Sequence, residues 1–472
     1  MMESDSGTIR TVVWKELCPW LNIFRVFRLS IALPALLFGA AAILLTAIGW
    51  WFVALFFGAD SLGTQWLAPY SNSPWTAVTT MVPDQPAIPD AMAGLGWLQP
   101  HQGPHEPVFS SWVTLNAPLV NGLATPGLTV RAGVCLILCG LWGAAVWAFF
   151  GAAITRMAAV QLAAGERITL AAAMRHAAAK WPSYFAAPLL PVGGVILAAI
   201  PVLILGVLIR ANWILFLISF IWPLALAAGL LMALLLLGVL FGWPLMWATI
   251  SSEGTDSFDA LSRSYAYTFQ RPLQYLFYAV IAAVIGGLGW LLVQNFAAGV
   301  VWMSYWAAGL GAGGDRIDSI MNGGLTGFSG FGAGLIHFWA GCVKLAAVGY
   351  LFSYFWTSVA CIYLLLRRDV DATEMDEVFL DADASEEGAG LTGTPPTMPA
   401  PATPEAAPAQ ETAQEPENPP ASSESAVASP AMTPPTATIP LDDGPAPAPA
   451  ESEAPAPPIQ PEEPPAAPDQ PA

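Results

Sequence analysis

Six long stretches of the chain are almost continuously apolar, at residues 29–57, 132–154, 185–209, 223–250, 275–296 and 345–366. Each reaches the roughly 18–20 residues that a helix needs to cross a bilayer. None shows the strict alternation of a half-buried strand. The pattern predicts an all-α polytopic membrane protein with about six transmembrane helices. Residues 1–28 precede the first stretch and contain Arg10, Lys15, Arg25 and Arg28. Leader and stretch are both too long for the parts of an ordinary signal peptide, so the stretch reads as a retained span.

Polar residues return in two short links between spans. The second, GTDSFDALSRSYAYTFQRP at 254–272, puts Phe258, Leu261, Tyr265 and Phe269 on one stripe of a helix. Asp256 is placed to cap its start, Asp259 to pair with Arg263 at i, i+4, and Pro272 to end it. Two destinations suit the stripe: the headgroup layer, or the side of the helix bundle. Ninety residues upstream, ERITLAAAMRHAAAKWPSYF holds the matching place, with Ile168 against Phe258 and Pro182 against Pro272. The flanking spans shift onto one another as well. Two parallel helix–amphipathic link–helix repeats are therefore expected, at about 132–209 and 222–299. Arg167, Arg175 and Lys180 in the first link, and Arg263 and Arg271 in the second, are expected to meet anionic lipid headgroups.

Charge sets the sidedness. With the amino terminus inside, 12 of the 16 Lys and Arg fall on the cytoplasmic side, leaving Arg131, Arg210, Arg316 and Lys344 outside. That bias places both termini in the cytoplasm. The net charge of −18 belongs to the end of the chain: 369–472 holds 21 of the 34 Asp and Glu and none of the Lys or Arg. The remaining body is nearly neutral and carries no basic stripe for nucleic acid. From residue 391 onward, 24 of 82 residues are Pro. Such a composition predicts a disordered acidic cytoplasmic tail over 369–472, opened by a short acidic helix after Arg368. Cytoplasmic proteins are expected to meet the tail by polyproline-type recognition, if it is more than a spacer.

The outer loop, 58–130, contains Trp66, Trp75, Trp97 and Trp112 among many prolines and is expected to lie as a cap on the membrane surface. Its His101, His105 and Glu106 are read as ordinary loop polarity rather than metal ligands. Lys344 is expected to snorkel at the outer boundary of the last span. The alternative is an outer polar pocket with His337, seven residues earlier on a similar face. The glycine pairs Gly193-Gly194 and Gly286-Gly287 fit close helix packing better than a transport site. Cys135 and Cys139 are read as small packing residues, and the five cysteines form no disulfide framework.

GWPLMWATISSEGTDSFDALSRSYAYTFQRPLQYLFY and LFSYFWTSVACIYLLLRRDVDATEMDEVF resemble landmarks of a group of uncharacterised bacterial multi-pass membrane proteins, over about residues 19–380. The resemblance implies the six-span layout and the bacterial inner membrane, and no activity. More weakly, Ala260, Leu261, Ser262, Arg263 and Ser264 are similar to the link helices of the glycerophosphodiesterase membrane domain. The catalytic barrel of that family has no counterpart here, so its activity is not implied. The sequence carries no metal-binding HExxH, phosphate-cradling loop or nucleophile elbow. No catalytic, cofactor-binding or metal residue is therefore assigned. The leading expectation is a non-enzymatic inner-membrane scaffold or membrane-organising protein with membrane lipids as partners; the alternative is a transporter or lipid-handling protein.

Overall fold

A computed structural model describes residues 18–59, 64–82, 107–124 and 127–379, and all regular structure among them is helical. Helix α1 (Ile23–Ser30) leads into α2 (Leu33–Phe57), and two short helices follow, α3 (Ala68–Asn72) and α4 (Pro74–Thr79). Then come α5 (Pro107–Ala124), α6 (Val130–Ala163), α7 (Leu170–Leu208), α8 (Asn212–Glu253) and α9 (Ser257–Gln270). The fold closes with α10 (Pro272–Ala312), α11 (Gly314–Met321) and α12 (Gly327–Asp371). Six of these, α2, α6, α7, α8, α10 and α12, are long and apolar enough to cross a membrane.

Helix α12 is the axis of the bundle. Nearly every side chain from Leu345 to Arg367 is buried, and α1, α2, α5, α6, α8 and α10 all pack on it. The α7–α8 hairpin is the opposite case. Ile196, Leu197, Leu203, Phe216 and Phe220 point outward as apolar side chains, which suits a lipid environment and no aqueous one.

Several helices outrun the spans read from hydropathy. Helix α8 has 42 residues, about 63 Å at 1.5 Å per residue, against a hydrocarbon core of about 30 Å. Residues 297–344, between the fifth and sixth apolar stretches, are largely the end of α10, the short α11 and the first turns of α12. Glycine and scattered polar residues lower hydropathy there without ending the helices.

The two repeats share their order but differ at the links. Thr169 caps α7 by accepting from the Ala172 amide, as Asp256 caps α9 by accepting from those of Phe258 and Asp259. In the second copy Arg271 leaves helical geometry (φ −130°) and Pro272 begins α10. In the first, α7 runs straight through Pro182, so link and span are one helix.

Two further expectations are corrected. The 107–124 part of the outer loop is no surface cap: α5 is inserted among α6, α10 and α12. Its Phe109 and Trp112 lie against Phe355 in the middle of α12, whereas its Gly122 meets Leu136 near the start of α6. Pro118 and several polar residues kept this helix below the hydropathy of a span. The short acidic helix expected after Arg368 is not formed over 372–379: α12 itself runs on to Asp371, and the chain leaves helical geometry at Ala372. The predicted tail beyond 379, the residues 1–17, and the His101, His105 and Glu106 group lie outside the described residues.

Candidate functional site

A groove opens between α8 and α10. The two helices stand apart, and the hydroxyl of Tyr275 on α10 bridges them by donating to the carbonyl of Phe241 on α8 (2.8 Å). The floor is α12, through Phe355, Val359 and Ile362. One end is closed by Thr268 and Phe269 of α9 with Pro272, the other by Phe109 and Trp112 of α5. The enclosed volume is about 680 Å³ and its lining is almost wholly apolar. The rim residues Leu240, Leu273 and Leu276 are exposed, Leu273 to 81%, so the groove opens sideways on the apolar flank of the bundle.

An aromatic cluster fixes the inner wall. Trp112 meets Trp147 at 4.6 Å, Phe355 at 5.0 Å, and Trp243 and Trp356 each at 5.4 Å. Trp247 stacks on Trp356 at 4.5 Å with rings 16° apart. Gly151 leaves room for this stack, since a Cβ there would lie 2.7 Å from Trp247. Edge-on and offset ring contacts of this kind add to the burial of large apolar area. Gly286, one of the glycines singled out in the sequence, seats the ring of Tyr354 (2.5 Å to an added Cβ), while Gly193 has nothing within 4 Å. Gly286 is therefore used for close packing.

Below the groove, the helix ends are tied by a polar cluster. Glu253 closes α8 and receives Arg263 at 2.7 Å, Arg367 at 3.8 Å and the Tyr363 hydroxyl at 2.5 Å. Arg156, 1% exposed, donates to the carbonyls of Ser251 (2.8 Å) and Phe379 (2.7 Å). Arg367 donates to the carbonyls of Glu374 and Glu377, and the Phe379 amide donates to Ser252 (2.8 Å). Segment 372–379 is thus folded back under the bundle. The Tyr267 hydroxyl donates to Asp371; burial first, then that carboxylate, push the phenol above its usual range and keep it a donor.

The predicted link stripe is divided by the structure. Leu261 and Tyr265 are half-buried against the bundle, with the Tyr265 hydroxyl donating to Leu235 (2.6 Å). Phe258 and Phe269 are exposed, Phe269 at the groove's end. The face of α9 that is fully buried is Ala260, Ser264, Tyr267 and Thr268, one step around from the stripe. Small residues there let α9 approach α8: Ser264 Oγ donates to the Gly242 carbonyl at 2.5 Å. Asp259 does pair with Arg263, at 3.6 Å.

Of the expected headgroup contacts, Arg167, Arg175 and Arg271 are exposed. Lys180 and Arg263 are turned into the protein: Lys180 donates to the Gly254 carbonyl (2.6 Å) and Arg263 faces Glu253. Lys344 does not snorkel. It is 8% exposed and lines a cavity of about 270 Å³ with Trp75, Tyr305 and His337. The longer α12 and the α4 helix cover it, so the polar-pocket alternative is the one the structure bears out. The groove, the aromatic cluster and Glu253 were not assigned from sequence. No family model, curated protein or solved structure matches the chain.

Proposed function

We propose that the chain is a non-enzymatic lipid-handling protein of the bacterial inner membrane that holds a lipid acyl chain in the α8–α10 groove. The observation that carries this reading is the groove itself: about 680 Å³, apolar, and open to the flank that lipid would surround. Its size falls within the roughly 300–1,000 Å³ of small-molecule sites. Burial of apolar surface is the interaction such a lining offers, which suits binding rather than bond chemistry. The bacterial inner membrane is supported by the resemblance of 242–278 and 351–379 to bacterial multi-pass proteins. The basic bias toward the end that holds Glu253 supports cytoplasmic termini.

The test is lipid retention. Full-length protein in nanodiscs of bacterial lipid extract, released and weighed by native mass spectrometry, should carry bound lipid. Ala279→Trp, which projects an indole into the groove from α10, should lose it while keeping its thermal transition. Equal lipid retention by a folded Ala279→Trp protein would overturn the proposal.

A scaffold role is the second reading, favoured by Phe258, which is 72% exposed on α9 with no role in the bundle. Its test is the set of co-purifying proteins. That set should change on Phe258→Ser or on removal of 380–472, with lipid retention unaffected.

A further inference from the structure

The elbow between α1 and α2 makes a second site on a different side of the bundle. Helix α1 ends at Ser30 and α2 begins at Leu33 after a bend at Ile31–Ala32. The bend is held by Ser353 Oγ, which donates to the Ser30 carbonyl at 2.7 Å. Between this elbow and the end of α6 lies a pocket of about 120 Å³. Arg28, Arg167 and Gln161 line it over an apolar floor that includes Leu29, Met157 and Ile168. Both arginines are exposed. Among the described residues, neither they nor Gln161 make a hydrogen bond or an ion pair.

Two uncommitted guanidinium groups and a carboxamide donor around one small pocket match the oxygens of a phosphate, which arginine engages in paired hydrogen bonds. Arg28 ends an amphipathic helix and Arg167 follows the end of a spanning helix, which is the level of lipid headgroups. The apolar floor suits the start of a lipid's glycerol and chains. We infer that Arg28 and Arg167 form a phosphate-binding site, filled by the headgroup phosphate of an anionic phospholipid or by free phosphate. The pocket shares no lining residue with the α8–α10 groove, so the two proposals fail independently.

Thermal unfolding of the full chain tests it, in nanodiscs of phosphatidylglycerol against phosphatidylcholine, and in detergent with inorganic phosphate. Arg28→Gln with Arg167→Gln is compared with Arg210→Gln with Arg316→Gln, which removes equal charge from exposed positions that are not among the expected headgroup contacts. The first pair should weaken the phosphatidylglycerol response on the order of tenfold or more in apparent affinity, and the control pair should keep it. A phosphate response in detergent that only the first pair abolishes assigns the same site to free phosphate. Identical behaviour of the two double variants in every medium would overturn the site.

Discussion

The hydroxyl of Tyr275 donates to the carbonyl of Phe241 at 2.8 Å, joining α10 to α8 across the mouth of a groove that the two helices otherwise leave open. The bridge holds the groove at a fixed width. Tyr275→Phe removes the donor and keeps the ring. It is expected to cost about 1 kcal/mol of stability and to loosen lipid retention without abolishing it. Thermal unfolding and native mass spectrometry on the same preparation measure both.

Helix α2 approaches α12 backbone to backbone at Gly39 and Gly349. A Cβ on Gly39 would lie 2.3 Å from the Gly349 carbonyl oxygen, and one on Gly349 would lie 2.4 Å from that of Leu36. Neither backbone can yield without separating the helices. Gly39→Leu is expected to destabilise the bundle by about 3 kcal/mol or more. Gly193→Ala is the contrast: its surroundings are open, and a helical Gly→Ala change gains about 0.5–1 kcal/mol. Detergent denaturation midpoints of the two variants should move in opposite directions.

Glu253 is the anion on which the polar cluster turns. Arg367 beside it is 5% exposed at the side chain, whereas Arg263 is 41% exposed. Glu253→Gln leaves Arg367 buried without its carboxylate and should cost about 3 kcal/mol. Arg263→Gln, with much of its charge already in water, should cost about 1 kcal/mol or less. Similar losses for both, measured by thermal unfolding, would contradict the arrangement.

Segment 372–379 supplies acceptors to buried cations. A chain ending at Phe379 keeps the acceptor that Arg156 finds in the Phe379 carbonyl, and one ending at Asp371 loses it together with the Glu374 and Glu377 carbonyls for Arg367. The shorter chain should be less stable by about 2 kcal/mol or more. Truncation after Phe379 should leave the unfolding temperature near that of the full chain.

Much of the fold was legible because solvation in lipid is a strong, local constraint. Continuous apolar runs found all six long helices, and Asp256, Asp259 with Arg263, and Pro272 marked the second link as the structure has it. What was not legible depends on contacts between distant residues. Helix α5 is too polar and too Pro-broken to declare itself, yet Trp112 makes it part of the core through Trp147, Trp243 and Trp356. A signal was present in Val108, Trp112 and Leu115, which recur at helical spacing and are all buried. The α9 stripe misled because its large residues, Phe258 and Phe269, are not the ones that pack. Ala260 and Ser264 are, since small side chains permit the close approach. The groove itself is a gap between helices whose bridging residues, Phe241 and Tyr275, lie 34 positions apart, and it leaves no local trace.

The most direct measurement is photo-crosslinking with a phospholipid that carries a photoreactive group in its acyl chain, followed by peptide mapping. Adducts should concentrate on the groove lining, at Leu240, Phe241, Tyr275, Leu276 and Ala279, and should disappear from it in Ala279→Trp. Adducts spread evenly over the exposed apolar faces of α7 and α8, with no excess between α8 and α10, would contradict a lipid-holding groove.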